Sequence, residues 1–171
     1  MIRDQKNQNE KVAFKTDGGS TSETVYSPVN DGVVVDFSLV QDSVFSNEIM
    51  GPTVAIKPKN KDVYAPVSGK VVMISETKHA IGIKTNSGVE VLIHIGIDTV
   101  KLNGEPFNSS LKVGDTIQQG DLITEVNLEY LSQHNIDNTI ILAITNTKQA
   151  TKLVEDNTEI NIQTALLTIN I

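Results

Sequence analysis

The stretch His79-Ala80-Ile81-Gly82-Ile83-Lys84-Thr85-Asn86-Ser87-Gly88-Val89-Glu90-Val91-Leu92-Ile93-His94-Ile95-Gly96-Ile97-Asp98 decides how the chain folds. Val89, Val91, Ile93, Ile95 and Ile97 alternate onto one face, which marks a strand with that face in the core. Glu90, Leu92, His94, Gly96 and Asp98 share the other face. Asn86-Ser87-Gly88 is a turn signal. A three-residue loop with Gly at its left-handed position joins Ala80–Thr85 to the next strand as a hairpin. Matching apolar with apolar pairs Thr85 with Val89, Ile83 with Val91 and Ile81 with Ile93.

Outward from this hairpin the same texture continues. Short Val- and Ile-rich runs alternate with Gly, Asn, Asp, Pro and Ser, at Gly32–Phe37, Val54–Ile56, Lys70–Ile74, Asp115–Ile117, Leu122–Val126, Thr139–Ile144 and Thr164–Ile171. Strand signals at this spacing predict an all-β antiparallel sandwich or barrel. Only three stretches read as helical, and all are short. Ser43–Met50 follows Asp42 as N-cap, Leu128–Gln133 follows Asn127, and Gln149–Glu155 is the third. Residues 1–23 are polar and Gly/Ser-rich and are expected to be a flexible tail, leaving 24–171 as one domain. Val25-Tyr26-Ser27-Pro28-Val29 is echoed by Val63-Tyr64-Ala65-Pro66-Val67, each copy leading through a turn into a Val-rich strand. Chance, fold symmetry and a duplicated half-barrel all remain open readings of this repeat.

Composition narrows the chemistry. The 171 residues include no cysteine, so disulfides, thiolate zinc sites, iron–sulfur clusters and a cysteine nucleophile are excluded. Fourteen basic against 21 acidic residues give a net charge of −7, and aromatics make up only 4%. That balance argues against nucleic-acid partners, which demand a basic surface and stacking rings. No apolar run approaches the ~20 residues of a membrane span, and no apolar segment follows the first residues as a secretory signal would require. A soluble cytoplasmic protein is the expectation.

Three histidines are the candidates for chemistry. His134 closes a short helix, where a cation is mildly stabilising, and reads as a surface residue. His94 lies on the outward face of an apolar strand, followed on that face by Gly96, which admits close approach to the backbone, and by Asp98. The hairpin register sets His79 level with Ile95, one position from His94. Strict alternation points the two rings to opposite faces, so their meeting requires a bulge or a strand end near Thr77–His79. A zinc site would want a third protein ligand, and neither HExxH nor HxH spacing occurs. No serine nucleophile elbow and no phosphate-binding P-loop is present. A histidine can itself be the nucleophile, because neutral imidazole attacks phosphorus readily near pH 7. Such a carrier needs hydrogen-bond donors for the phosphoryl oxygens. Thr77, His79 and the Gly96-Ile97-Asp98 backbone are suited to that.

At this point the residues match a family. Residues from about 24 to 168 resemble the glucose-type enzyme IIA domain of the bacterial phosphoenolpyruvate-dependent sugar phosphotransferase system. The matching blocks are Tyr26-Ser27-Pro28-Val29, Asp42-Ser43-Val44-Phe45-Ser46, Val54-Ala55-Ile56-Lys57-Pro58, Ala65-Pro66-Val67-Ser68-Gly69, Thr77-Lys78-His79-Ala80, Val113-Gly114-Asp115 and the long run from Ser87 to Val100. The resemblance implies an antiparallel β-sandwich or flattened barrel of the duplicated hybrid motif type. It implies that His94 is phosphorylated, that His79 hydrogen-bonds the phosphoryl group and that Thr77 supports it. It implies no cofactor and no metal. Asp42 and Asp98 would face an arginine of the phosphocarrier protein HPr, with Leu92, Ile95, Gly96 and Ile97 in the docking surface. The implied cycle runs from HPr to His94 and on to a cysteine of an enzyme IIB domain of a sugar permease, a cysteine this chain lacks. The family's aromatics are replaced here by Ser75, Leu92 and Ile95, so the docking rim is less aromatic. Gly51-Pro52-Thr53 stands where the family often reads Gly-Asp-Gly. A regulatory protein that restrains other transporters or enzymes according to phosphorylation is the alternative function. A zinc-dependent hydrolase on a similar barrel is a third, lesser reading.

Overall fold

The computed structural model describes residues 22–40 and 51–171. Asp42 and the candidate helix Ser43–Met50 lie outside the described residues, as do residues 1–21. Fourteen strands are described: β1 (Ser22–Tyr26), β2 (Gly32–Val35), β3 (Thr53–Pro58), β4 (Asp62–Tyr64), β5 (Gly69–Ile74), β6 (Ala80–Lys84), β7 (Glu90–Ile95), β8 (Phe107–Asn108), β9 (Thr116–Ile117), β10 (Leu122–Val126), β11 (Ile140–Ile144), β12 (Thr151–Lys152), β13 (Glu159–Ile160) and β14 (Ala165–Asn170). All pairings are antiparallel, as an all-β sandwich requires. The largest sheet runs β13-β2-β3-β11-β7-β6-β5-β9. Two three-stranded sheets, β1-β14-β12 and β4-β10-β8, complete the fold.

The large sheet is close to palindromic about its centre, between β11 and β7. An approximate twofold exchanges β2 with β5, β3 with β6, β13 with β9 and the two small sheets with each other. Registers agree across it: Ile160 pairs Gly32 in one half and Ile117 pairs Gly69 in the other. The sequence repeat sits at equivalent places of the two halves and ties them together. The Tyr26 amide donates to the Pro66 carbonyl at 2.9 Å, and the Tyr64 amide to the Pro28 carbonyl at 2.7 Å. Each proline lies ahead of its strand, where its missing N–H costs no ladder bond.

The main core draws Val25, Leu166 and Ile169 from one small sheet, Val63, Ile123 and Val126 from the other, and Val34, Ile56, Ile83, Ile93, Ile95 and Leu142 from the large one. A second cluster forms on the opposite face of the large sheet, from Ala55, Ala80, Leu92, Ile141 and Ala143, with Phe37 and Val40 from the segment after β2 and Ile97 from the turn after β7. The middle strands are therefore covered on both sides, and all five residues of β11 are buried. Each large apolar side chain so buried contributes about 1.5–3 kcal/mol.

One helix, α1 (Leu128–Gln133), is capped as expected, with the Asn127 side chain accepting from the Tyr130 amide at 2.9 Å. Gln149–Glu155 is not helical. Thr151 and Lys152 pair with Thr168 and Leu167 as an edge strand, so sheet pairing overrides a short and weak helical pattern. Phe37 leaves the expected strand Gly32–Phe37 to open a 3₁₀ turn, Phe37–Leu39, capped by the Asp36 carboxylate. Ser22 and Glu23, placed in the tail by composition, pair with Asn170 and Ile169 in β1.

Candidate functional site

His94 sits near the end of β7, between Ala80 of β6 and Ile141 of β11. The hairpin register is the expected one, from Lys84–Glu90 to Ala80–His94. His79 lies just before β6, and its carbonyl accepts the Ile95 amide at 2.8 Å, so it is level with Ile95. What brings the rings together is the end of the strand. Lys78 has φ +64°, and the chain from Ser75 to Lys78 forms a tight turn closed by Lys78 N–H to Ser75 O at 2.9 Å. A left-handed residue immediately before His79 ends the strict alternation. The His79 and His94 ring centroids are 5.0 Å apart, with an interplanar angle of 77°.

The His79 ring is held from behind. Its Nδ1 lies 2.6 Å from Thr77 Oγ1 and 3.2 Å from Ser75 Oγ. Ser75 Oγ already accepts the Ala80 amide at 3.0 Å, so its own proton is available to the ring. When the Thr77 hydroxyl, the nearer of the two, donates to Nδ1, the proton of the neutral ring is on Nε2. Burial holds the His79 pKa below the usual histidine value, which keeps the ring neutral near pH 7. Ser75 is the residue that sequence reading missed. Its signal was the Ser75-x-Thr77-x-His79 spacing around a turn, where short hydroxyl side chains turn back on nearby groups.

His94 is half-buried, with its Nδ1 in the interior. The loop that follows is built more tightly than the sequence suggests. Gly96 has φ +79°, and a Cβ there would lie 2.4 Å from Thr99 Cγ2. Its glycine is required by conformation and packing, and the expected space for a ligand is filled by Thr99, whose hydroxyl bonds the Ile95 carbonyl at 2.7 Å. The Gly96 amide donates to Thr139 O and the Ile97 amide to Asp137 O. Both are therefore occupied, and of the three expected backbone donors only the Asp98 amide makes no hydrogen bond to a described residue.

The same turn sets where the expected docking residues lie. Ile95 is 1% exposed and belongs to the main core. Gly96 is buried, and its positive φ rotates Ile97 off the core stripe into the second cluster beside Leu92. Leu92 and Ile97 are buried there, so neither presents a broad surface. Asp98 remains exposed, in a left-handed conformation, with Lys101 Nζ at 3.9 Å. His134 is far in role from this pair: exposed at the end of α1, it stacks on Tyr130 at 4.1 Å. Among the described residues, no group of three or more His, Asp or Glu side chains is placed to hold a metal. None of the described helices is long and apolar enough to cross a membrane.

Residues 23–150 match the family model described as phosphoenolpyruvate-dependent sugar phosphotransferase system, EIIA 1. Among solved structures, the glucose permease IIA from Mycoplasma capricolum is 34% identical. The match covers 86% of this chain and 96% of that one, with a TM-score of 0.76.

Proposed function

The chain belongs to the EIIA 1 family of the phosphoenolpyruvate-dependent sugar phosphotransferase system, and on that premise we propose that it carries a phosphoryl group on His94. The group arrives from phospho-HPr and leaves to the cysteine of an enzyme IIB domain. The observation that carries this reading is the histidine pair itself, with one ring open to attack and the other oriented by two hydroxyls. With Nδ1 of His94 in the interior, Nε2 is the nitrogen for the reaction. Its lone pair forms the new N–P bond as the P–N bond to the donor histidine breaks. His79 Nε2–H, aimed by Thr77 and Ser75, donates to a phosphoryl oxygen as charge develops there. A neutral His79 serves this best, because it donates without requiring a second buried cation. In the onward step the thiolate of the acceptor takes the phosphoryl group and the N–P bond breaks. Asp98, with Asp42, would meet the arginine of the donor protein.

The test is incubation with phosphoenolpyruvate, enzyme I and HPr, followed by assay of acid-labile phosphate. Wild-type protein becomes labelled and His94→Ala does not. Labelling of His94→Ala at the wild-type rate would contradict the assignment.

A regulatory role has one observation in its favour. An apolar groove of about 250 Å³, lined by Val72, Met73, Gly82 and Leu92, opens on the same sheet face as His94. A protein seated there would be sensitive to the roughly two negative charges that phosphorylation adds beside it. A pull-down that captures a partner in one phosphorylation state only supports this second role.

A further inference from the structure

The turn that follows His94 is clamped from outside the histidine pair. Its Gly96 and Ile97 amides both end on the segment from Asp137 to Thr139, ahead of β11, at 2.8 and 2.9 Å. That segment is in turn organised by one carboxylate. Asp137 Oδ1 accepts the Thr139 amide at 2.9 Å, the Thr139 hydroxyl at 2.6 Å and the Lys57 ammonium at 2.7 Å. Lys57 reaches in from β3, on the far side of β11 from β7. Burial alone would raise the Asp137 pKa, but the bonds from Lys57 and Thr139 outweigh it and hold the carboxyl below its ordinary value. The charged group is therefore the one that builds the clamp.

We propose that Asp137, held by Lys57, is a positioning residue for phosphoryl transfer at His94, acting through the Gly96–Asp98 turn. The inference rests on the phosphoryl-carrier reading given above. The logic is geometric. β7 ends at Ile95, so the direction in which the chain leaves the strand is set by what Gly96 and Ile97 bond to. Those two bonds fix the start of the turn that carries Asp98, its amide, which bonds no described residue, and its exposed carboxylate. Small displacements of groups that meet a transferring phosphoryl are costly in rate. At the equivalent place across the twofold the Thr145 amide likewise donates to the Glu90 carbonyl at 3.0 Å, but among the described residues no lysine–carboxylate pair organises that segment in the same way. There the Asn146 side chain accepts from the Glu90 amide and donates to the Gly88 carbonyl, and Lys84 meets Glu90 only at 3.8 Å.

The experiment is single-turnover transfer from saturating phospho-HPr to the full-length chain, read together with the His94 ring resonances by NMR and with thermal unfolding. Asp137→Ala is expected to slow transfer about tenfold and to shift the His94 ring signals. Asp137→Asn, which keeps an acceptor for Thr139, recovers part of the rate. Lys57→Gln, at a half-exposed position where folding is not at risk, slows transfer by about threefold, and the double variant is no slower than Asp137→Ala alone. Lys84→Gln, the control across the twofold, transfers at the wild-type rate. Unchanged transfer per folded molecule and unmoved His94 signals in both Asp137→Ala and Lys57→Gln would overturn the inference, whatever the change in melting temperature. Failure of the wild-type chain to accept phosphate at all would instead overturn the carrier reading on which it rests.

Discussion

The two halves of the large sheet place very different residues at equivalent points. His94 pairs with Ala80 and Ile141. Across the twofold, Ala143 pairs with Thr53 and Leu92. The backbone frame is the same and the chemistry is not. The cause lies in the connections. In the first half, the chain from 36 to 52 joins β2 to β3, and its Phe37 and Val40 lie on the sheet face, so Ala143 is fully buried. In the second half, only residues 75–79 join β5 to β6. That short turn supplies Ser75, Thr77 and His79, and leaves the face around His94 partly open. A strand position becomes a reactive site here because its neighbouring loop is short and carries the supporting groups.

The strongest way to break this comparison is to move the nucleophile across the axis. The double variant His94→Ala/Ala143→His is expected to accept no phosphate and to lose stability. Overpacking a filled core costs about 1–3 kcal/mol, and an unpaired buried ring nitrogen adds to that. Acid-labile phosphate at position 143 would show that the sheet frame, and not the loop, makes the site. Next in size is His79→Gln. It should still be phosphorylated, but onward transfer to a IIB domain should fall by about 10²-fold, the usual loss for one preorganised donor. Rapid-quench transfer assays decide this, and full onward transfer would remove His79 from its role. Smaller again is the loss of both ring anchors. Thr77→Val with Ser75→Ala should slow onward transfer by about tenfold, equivalent to roughly 1.4 kcal/mol, by freeing the His79 ring to turn. An undiminished rate would mean that packing alone orients it.

The smallest effect is on stability against pH. The folded-state pKa of His79 is lowered by burial, so the unfolded chain binds more protons between that lowered value and about 6.5. Stability contributed by the neutral ring is fully present above about pH 6.5 and is lost as pH falls toward the folded value. Urea midpoints of wild type should therefore rise with pH across this window more than those of His79→Gln. Parallel curves for the two proteins would contradict a buried neutral His79.

Much of this was legible in the sequence, for identifiable reasons. The hairpin register followed from period-two alternation and a three-residue turn, and both survive packing because they are local. The closeness of His79 and His94 followed from that register. Their convergence did not, since it depends on the left-handed Lys78, which no pattern marks. Alternation placed Ile95 on the core face, where it lies, but it does not hold for Ile97, because the backbone turns at Gly96. Ser75 was passed over because it stands where relatives carry an aromatic. The network of Asp137 and Lys57 was beyond reach, as it joins residues 80 apart in the chain through tertiary contact.

The nitrogen that carries the phosphoryl group is the central question. ³¹P–¹⁵N correlation spectra of the chain, phosphorylated by phospho-HPr and labelled in its histidine rings, read this directly. One phosphoryl group on Nε2 of His94, with His79 and His134 unmodified, is the result predicted here. Phosphate on His79, or on Nδ1 of His94, would contradict it.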